Sequence, residues 1–212
     1  FIPNAADFSL SDELIISHFD RVDFRVKNNW QDKFVITYVG AHGVANHLIQ
    51  VLETADLIQS KLPNVLLVLI GNGMQKEMLI EEAKRRKLSN VKFIDSVPKK
   101  DVFKYIIASD FGMSVLKKVD TFKTIYSNKT FDYMACKTPL FLLIDGVSRQ
   151  LVEEAQCGVF VEPENPQAFA SAIETYVNKN VREMGLNGYN FAKLHFDRDV
   201  LAKRYIKYLM DV

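Results

Sequence analysis

Asn128, Lys129 and Asp132 lie close together in the stretch from Tyr126 to Pro139. At about 100° per residue, a helix puts these three on one side. Thr130, Phe131, Met134 and Ala135 fall on the other side, which can pack on a sheet. An amide, an ammonium and a carboxylate then stand near a helix start, where free N–H groups and the helix dipole favour anions. That set suits a ligand carrying both phosphates and hydroxyls, such as a nucleotide sugar. The alternative is an amphipathic surface helix with an i,i+3 ion pair between Lys129 and Asp132.

The surrounding pattern predicts how such a helix is held. The stretch reads as a loop, a helix over 128–137, a proline break at Pro139 and a buried strand over 139–144. Upstream, Phe34–Val39, Val65–Ile70, Val91–Ile94 and Phe111–Val115 are short β-branched or aromatic runs, the mark of strands. Helical spacing follows the first three: Leu48 to Gln59, Gln75 to Arg86, and a helix opened by Pro98. After 139–144 come a helix over 147–155, a strand over 158–161 and a helix over 166–178. Residues 181–212 read as two helices broken near His195-Phe196-Asp197. Strands without strict alternation, separated by helices, imply an α/β fold: a doubly wound parallel sheet covered on both faces. Residues 1 to about 33 are mixed and partly helical.

In such a sheet, ligands bind beyond the carboxyl ends of the strands, where the winding reverses. The loops there are Gly40-Ala41-His42-Gly43, Gly71-Asn72-Gly73, Ser96-Val97-Pro98 and the long basic loop 116–127 that leads into Asn128. A glycine before a helix lets backbone N–H groups approach a phosphate. His42 is either a donor to a diphosphate or sugar hydroxyl, or a solvated loop histidine. Gly71-Asn72-Gly73 is half of a dinucleotide fingerprint. Lys76 stands where the third glycine would be, and the phrase follows the second regular strand, so a nicotinamide cofactor is not implied. Walker, H-E-x-x-H and nucleophile-elbow motifs are absent. Glu81-Glu82, Lys84 to Lys87 and Glu153-Glu154 read as solvated helix faces.

Bulk properties narrow the class. The chain has 212 residues, enough for one large domain or two small ones, and a net charge of +1. No global field draws it to nucleic acid. Cys136 and Cys157 form no C-x-x-C pair, so a zinc or redox site is not expected and a reducing cytosol is. The longest apolar runs, Val65–Ile70 and Pro139–Ile144, are too short to span a bilayer. The first residue is Phe1 and no signal peptide is visible, which suggests a piece of a longer polypeptide.

Taken in order, these phrases resemble the group 1, or family 4, retaining glycosyltransferases of GT-B architecture. Ile2-Pro3-Asn4-Ala5-Ala6-Asp7 resembles the IPNG-x-D phrase that joins that family's two domains. Val39-Gly40 through Gly43 resembles its first glycine loop, and Val68 to Gly73 its "hhGxG" element. Val91 to Pro98 resembles "V-x-F-x-G-x-V-P", whose backbone meets the nucleotide base. Asn128 to Ala135, with Pro139, resembles the "K-h-x-E-x-M-A-x-G-x-P" helix. The nearest flavour is the capsular and O-antigen polysaccharide branch.

The resemblance implies a Rossmann-like donor-binding domain over 34–180. Residues 1–33 would be an interdomain linker and lead-in segment. Residues 181–212 would be helices that cross back to a missing N-terminal domain, with Leu201, Tyr205, Ile206 and Leu209 partly uncovered. It assigns Asp132 to the donor ribose hydroxyls, Lys129 to the diphosphate, Gly43 to the phosphates or sugar, and Val97 to the base. Gly71, Gly73 and Asn128 join the donor-binding set, with His42, Lys123 and Thr130 as further candidates. No cofactor or metal is expected. A nucleoside diphosphate sugar, UDP-linked first among choices, is the substrate, and an acceptor sugar, lipid-linked in one version, is the partner. The catalytic residues would lie in the missing domain, so this chain alone would be inactive. The protein would sit in the cytoplasm or at the inner membrane face. Two departures stand out. Asp132 is a methylene shorter than the family's glutamate, whose partner eight positions earlier is Thr124. Ala41 replaces the first-loop arginine, and that loop holds no lysine before Leu48. The other readings are a non-catalytic nucleotide-binding module and half of a GT-B nucleotide-sugar 2-epimerase, which needs acid–base carboxylates and histidines not assembled here.

Overall fold

The computed structural model describes residues 4–17 and 19–210. Ile2 and Pro3 of the linker phrase therefore lie outside the described residues. Six strands form the sheet: β1 (Phe34–Val39), β2 (Val65–Ile70), β3 (Val91–Ile94), β4 (Phe111–Val115), β5 (Leu140–Leu143) and β6 (Gly158–Phe160). All pairings are parallel, in the order β3-β2-β1-β4-β5-β6. This is the doubly wound α/β arrangement, with the winding reversed between β1 and β4.

The four inner strands β1, β2, β4 and β5 are buried on both sides, which is why their sequences lack polar alternation, while the edge strands β3 and β6 are half-buried. Ile36, Tyr38, Leu67, Leu69, Phe111, Met113, Phe141 and Leu143 face one layer. That layer is built from α3 (Ile49–Ile58), α4 (Lys76–Arg85) and α8 (Pro166–Tyr176). Phe111 stacks on Phe141 with centroids 4.3 Å apart, and Phe169 of α8 meets Phe141 edge-on at 5.4 Å. Val35, Val39, Val68, Ile70, Leu140 and Leu142 face the other layer. There lie α1 (Phe8–Ile16), α2 (Arg21–Lys27), α5 (Lys99–Ala108), α6 (Asn128–Ala135), α7 (Val147–Glu154) and α9 (Arg182–His195). The last helix, α10 (Arg198–Met210), follows a break at Phe196-Asp197.

Within 1–33, Phe8–Ile16 and Arg21–Lys27 form two helices of the second layer, with α2 packed on α5. Arg25 holds α2. Its buried guanidinium donates to the carbonyls of Ala108 (2.7 Å) and Trp30 (3.0 Å) and pairs with Asp110 at 3.1 Å. Asp110 in turn accepts from the Val35 N–H at 2.8 Å, fastening the start of β1. The segment before α1 also meets the break before α10. Ala6 N–H donates to Phe196 at 2.8 Å, and Arg198 N–H donates to Ala6 at 3.1 Å. Asp7 pairs with Lys99 at 3.1 Å and Arg198 at 2.8 Å.

α6 ends at Ala135, short of the 137 expected, because Lys137 adopts a left-handed φ of 55°. The loop before it holds a 3-10 turn over Asp120–Thr124. Its first part is pinned to neighbouring loops by bonds from Lys117 N–H to Ala45 (2.9 Å) and from Lys118 N–H to the Glu164 carboxylate (3.0 Å).

Candidate functional site

The crevice begins where two strands part. β1 pairs with β2 along its whole length, but with β4 only at Ile36↔Phe111 and Thr37↔Gly112. Past Thr37 the backbone groups of β1 and β4 need other partners. Tyr133 of α6 supplies them. Its hydroxyl donates to the Thr37 carbonyl at 2.7 Å, lies 3.2 Å from the Met113 carbonyl, and accepts from Val39 N–H at 3.2 Å. Gly112 makes room, since a methyl there would run into the Tyr133 ring. The hydroxyl therefore fixes α6 against the splayed strands, and with it the polar residues that the helix carries.

Those residues are Asn128, Lys129 and Asp132. Asn128 is exposed at the first helical position. No side chain caps this helix, because the Ser127 hydroxyl instead accepts from Ser114 at 2.9 Å. Lys129 lies over Gly40, its Nζ 5.2 Å from the centre of the Tyr38 ring and 3.3 Å from Asn46 Oδ1. Burial lowers its pKa to about 8, against the pull of Asp132. Asp132 has no hydrogen bond or ion pair among the described residues. Burial raises its pKa to about 6, with Asp7 adding to the shift and Lys99, Arg198 and Lys129 opposing it. The i,i+3 ion pair of the bland sequence reading is not formed. One side chain turns toward the β1 loop, and the other lies among the charges of α5, α10 and the linker. Thr130 is fully buried, and its hydroxyl has no partner among the described residues.

The glycine loops close the other side. Gly71 has φ +143°, and a side chain there would strike the Gly40 carbonyl, so the first two loops touch through backbone alone. Gly73 packs against the backbone of His42, which is itself bonded to Asn72 (2.9 Å) and Gln75 (3.0 Å). Gly43 opens a 3-10 turn at Val44–Asn46. Val97 is half-buried behind the third loop and packs on the core.

His42 is neither a solvated loop residue nor open to the crevice. Its ring is fully buried near Tyr38 and Phe93, and both its nitrogens lack partners among the described residues. Burial, helped by the Lys76 charge, lowers its pKa to about 4, so it is neutral at pH 7. Lys123 stands apart from the α6 group: it is exposed, paired with Asp120 at 2.9 Å, and feels Asp145 and Glu162. Thr124 is exposed in the same 3-10 turn.

Tyr133, Tyr38, Asn46 and Lys76 also shape the site, although none draws notice as a binding residue in the sequence. The one signal among them is Lys76, displacing a fingerprint glycine. Among the described residues, no group of three or more His, Cys, Asp and Glu is placed to hold a metal ion, and no helix is long and apolar enough to cross a membrane.

A six-stranded parallel sheet wound both ways, with its crevice at the reversal, defines a Rossmann-like α/β domain. The chain belongs to the family of glycosyl transferases group 1, whose sequence model matches residues 20–191. No curated protein matches it. Among solved structures, Anabaena HepE, determined in complex with UDP and with UDP-glucose, is 18% identical, with a TM-score of 0.83 over 100% of this chain and 57% of that one. WaaG, a glycosyltransferase involved in lipopolysaccharide biosynthesis, is 16% identical, with a TM-score of 0.78 over 96% of this chain and 54% of that one. The C-terminal domain of LpcC, a group 1 family protein from Francisella tularensis, is 18% identical, with a TM-score of 0.70 over 85% and 94%. The chain thus spans little more than half of HepE and WaaG, and its fold is that of one half of a GT-B glycosyltransferase.

Proposed function

We propose that this chain is the donor-binding domain of a retaining glycosyltransferase. The whole protein would move a sugar, of hexosyl type, from a nucleoside diphosphate to an acceptor hydroxyl in surface polysaccharide or lipopolysaccharide synthesis. The observation that carries this reading is the placement of Lys129 over Gly40 beside the parting of β1 and β4, with Asp132 three residues on along α6 and, among the described residues, no ion pair at either. Charged groups drawn out of water without an opposite charge beside them are costly in a purely structural helix. A nucleotide sugar would satisfy both: its diphosphate answers the ammonium, and its ribose hydroxyls donate to the carboxylate. Family membership and the UDP complexes of HepE support the choice of ligand.

In this reading the chemical task is to stabilise the leaving diphosphate as the glycosidic bond breaks. Lys129 and the uncapped first turn of α6 do so from this side, with Gly43 allowing close approach and Gly71 and Gly73 holding the loops together. Val97 meets the base through its main chain. The acceptor site and the catalytic residues belong to the rest of the protein, which would work in the cytoplasm or at the inner membrane face. Exposed Ala41, where the resemblance calls for an arginine, favours the second reading, a nucleotide-binding module without transfer.

A thermal-shift panel of UDP, GDP, ADP and CMP tests the binding claim, since a ligand specific for the folded state raises its apparent stability. One diphosphate nucleotide should stand out. Asp132→Ala should then weaken that nucleotide roughly 10- to 150-fold, the loss of a charged hydrogen bond. Unchanged affinity by calorimetry would reject the ribose role. Transfer by the intact protein, lost with Asp132, separates an enzyme from a module.

A further inference from the structure

The ladder between β2 and β3 ends at the bond from Gly71 N–H to Ile94 O, 3.0 Å. Beyond it, the Gly71-Asn72-Gly73 and Asp95-Ser96-Val97 loops are joined by side chains. Lys76 Nζ lies 2.8 Å from Gly71 O, 2.7 Å from Asn72 Oδ1, 2.6 Å from Asp95 Oδ1 and 3.3 Å from Ile94 O. The Asn72 amide adds a bond to Ser96 Oγ at 3.0 Å. An ammonium has three protons, and here four acceptors surround it.

Lys76 is also the first residue of α4, where the helix dipole disfavours a cation. Its side chain is only 13% exposed. Its protons are committed to groups of this chain, whereas Lys129 has a single oxygen partner, at 3.3 Å. The two lysines therefore differ in kind. One is free to meet an anion, and the other knots two loops together.

We infer that Lys76 is a positioning residue for the nucleobase: by tying Asn72 to Asp95 it fixes the Asp95–Val97 loop and so sets base preference. This rests on the donor-site reading above. Lys76 does not bind the diphosphate. Its removal loosens the loop that meets the base and leaves the phosphate end of the crevice, at α6, intact.

Calorimetry of wild type, Lys76→Met and Asp95→Ala with UDP, GDP and, by competition, pyrophosphate tests this. Asp95 is exposed, so its variant keeps the fold if Lys76→Met does not. The expected result for Lys76→Met is about a tenfold loss for the preferred nucleotide. Its preference over the other base should collapse, and pyrophosphate affinity should stay unchanged. Asp95→Ala should reproduce part of the effect. Equal losses of nucleotide and pyrophosphate would make Lys76 a phosphate ligand and overturn the inference. An unchanged base preference in both variants would overturn it too. A wild type that binds neither UDP nor GDP would instead remove the donor reading itself.

Discussion

Asp132 and His42 carry opposite consequences for stability. The folded pKa of Asp132 is raised to about 6 from an ordinary 3.8, so between those values the folded chain holds a proton that the unfolded chain has released. Above pH 6 the ionised carboxylate is a burden of up to about 3 kcal/mol, relieved as pH falls. The folded pKa of His42 is lowered to about 4 from 6.5, so stability is lost as pH falls through that window. Asp132→Asn isolates the first effect. Its unfolding free energy should exceed that of wild type near pH 7, and the difference should shrink below pH 6 and vanish near pH 4. Urea denaturation across this range checks it, and a difference that does not change with pH would contradict the burial of Asp132. A group that weakens the free domain is one the fold has reason to keep only if something binds there.

Element by element, the site depends on how α6 sits at the parting of β1 and β4. Tyr133→Phe removes the hydroxyl that bridges Thr37, Met113 and Val39. It leaves buried backbone groups unpaired, a loss of about 1–3 kcal/mol. Nucleotide affinity should fall with it, because Lys129 and Asp132 ride on the same helix. Denaturation and calorimetry on one preparation check both effects, and full stability in the variant would show that the hydroxyl is not needed.

The strands were readable as β-branched runs such as Val65–Ile70, because burial on both sides removes polar residues from them. The shared side of Lys129 and Asp132 followed from helical spacing. The reach of Tyr133 did not, since a tyrosine among Phe131 and Met134 looks like ordinary core until two strands are known to separate beside it. His42 was misleading for the same reason. A histidine between glycines looks exposed, but neighbouring loops close over it. Helices α1 and α2 were obscured because the residues that fasten them find their partners far along the chain, Arg25 at Ala108 and Asp110, and Asp12 at Tyr189.

Across the whole molecule, α10 is joined to the rest mainly at its start. Leu201 is buried, whereas Tyr205, Ile206, Tyr208, Leu209 and Met210 are exposed. Of the residues expected to be uncovered there, Leu201 alone is covered, packed against the body of the domain. Deleting residues 203–212 should therefore shift Tm by less than about 3 °C. A larger fall by scanning calorimetry would mean that α10 supports the fold. Under the proposed donor-domain reading, these exposed side chains would pack against the other half of the enzyme.

The claim on which the rest depends is that the crevice ammonium of α6 awaits a diphosphate. With its pKa near 8, Lys129 is half-protonated in the free domain at that pH. A bound diphosphate would restore the missing proton. Titrating the nucleotide selected by the thermal-shift panel at pH 8, in buffers of different ionisation enthalpy, measures this directly. The prediction is uptake of about half a proton per site, abolished in Lys129→Met. No uptake, or uptake that persists in the variant, would contradict the account.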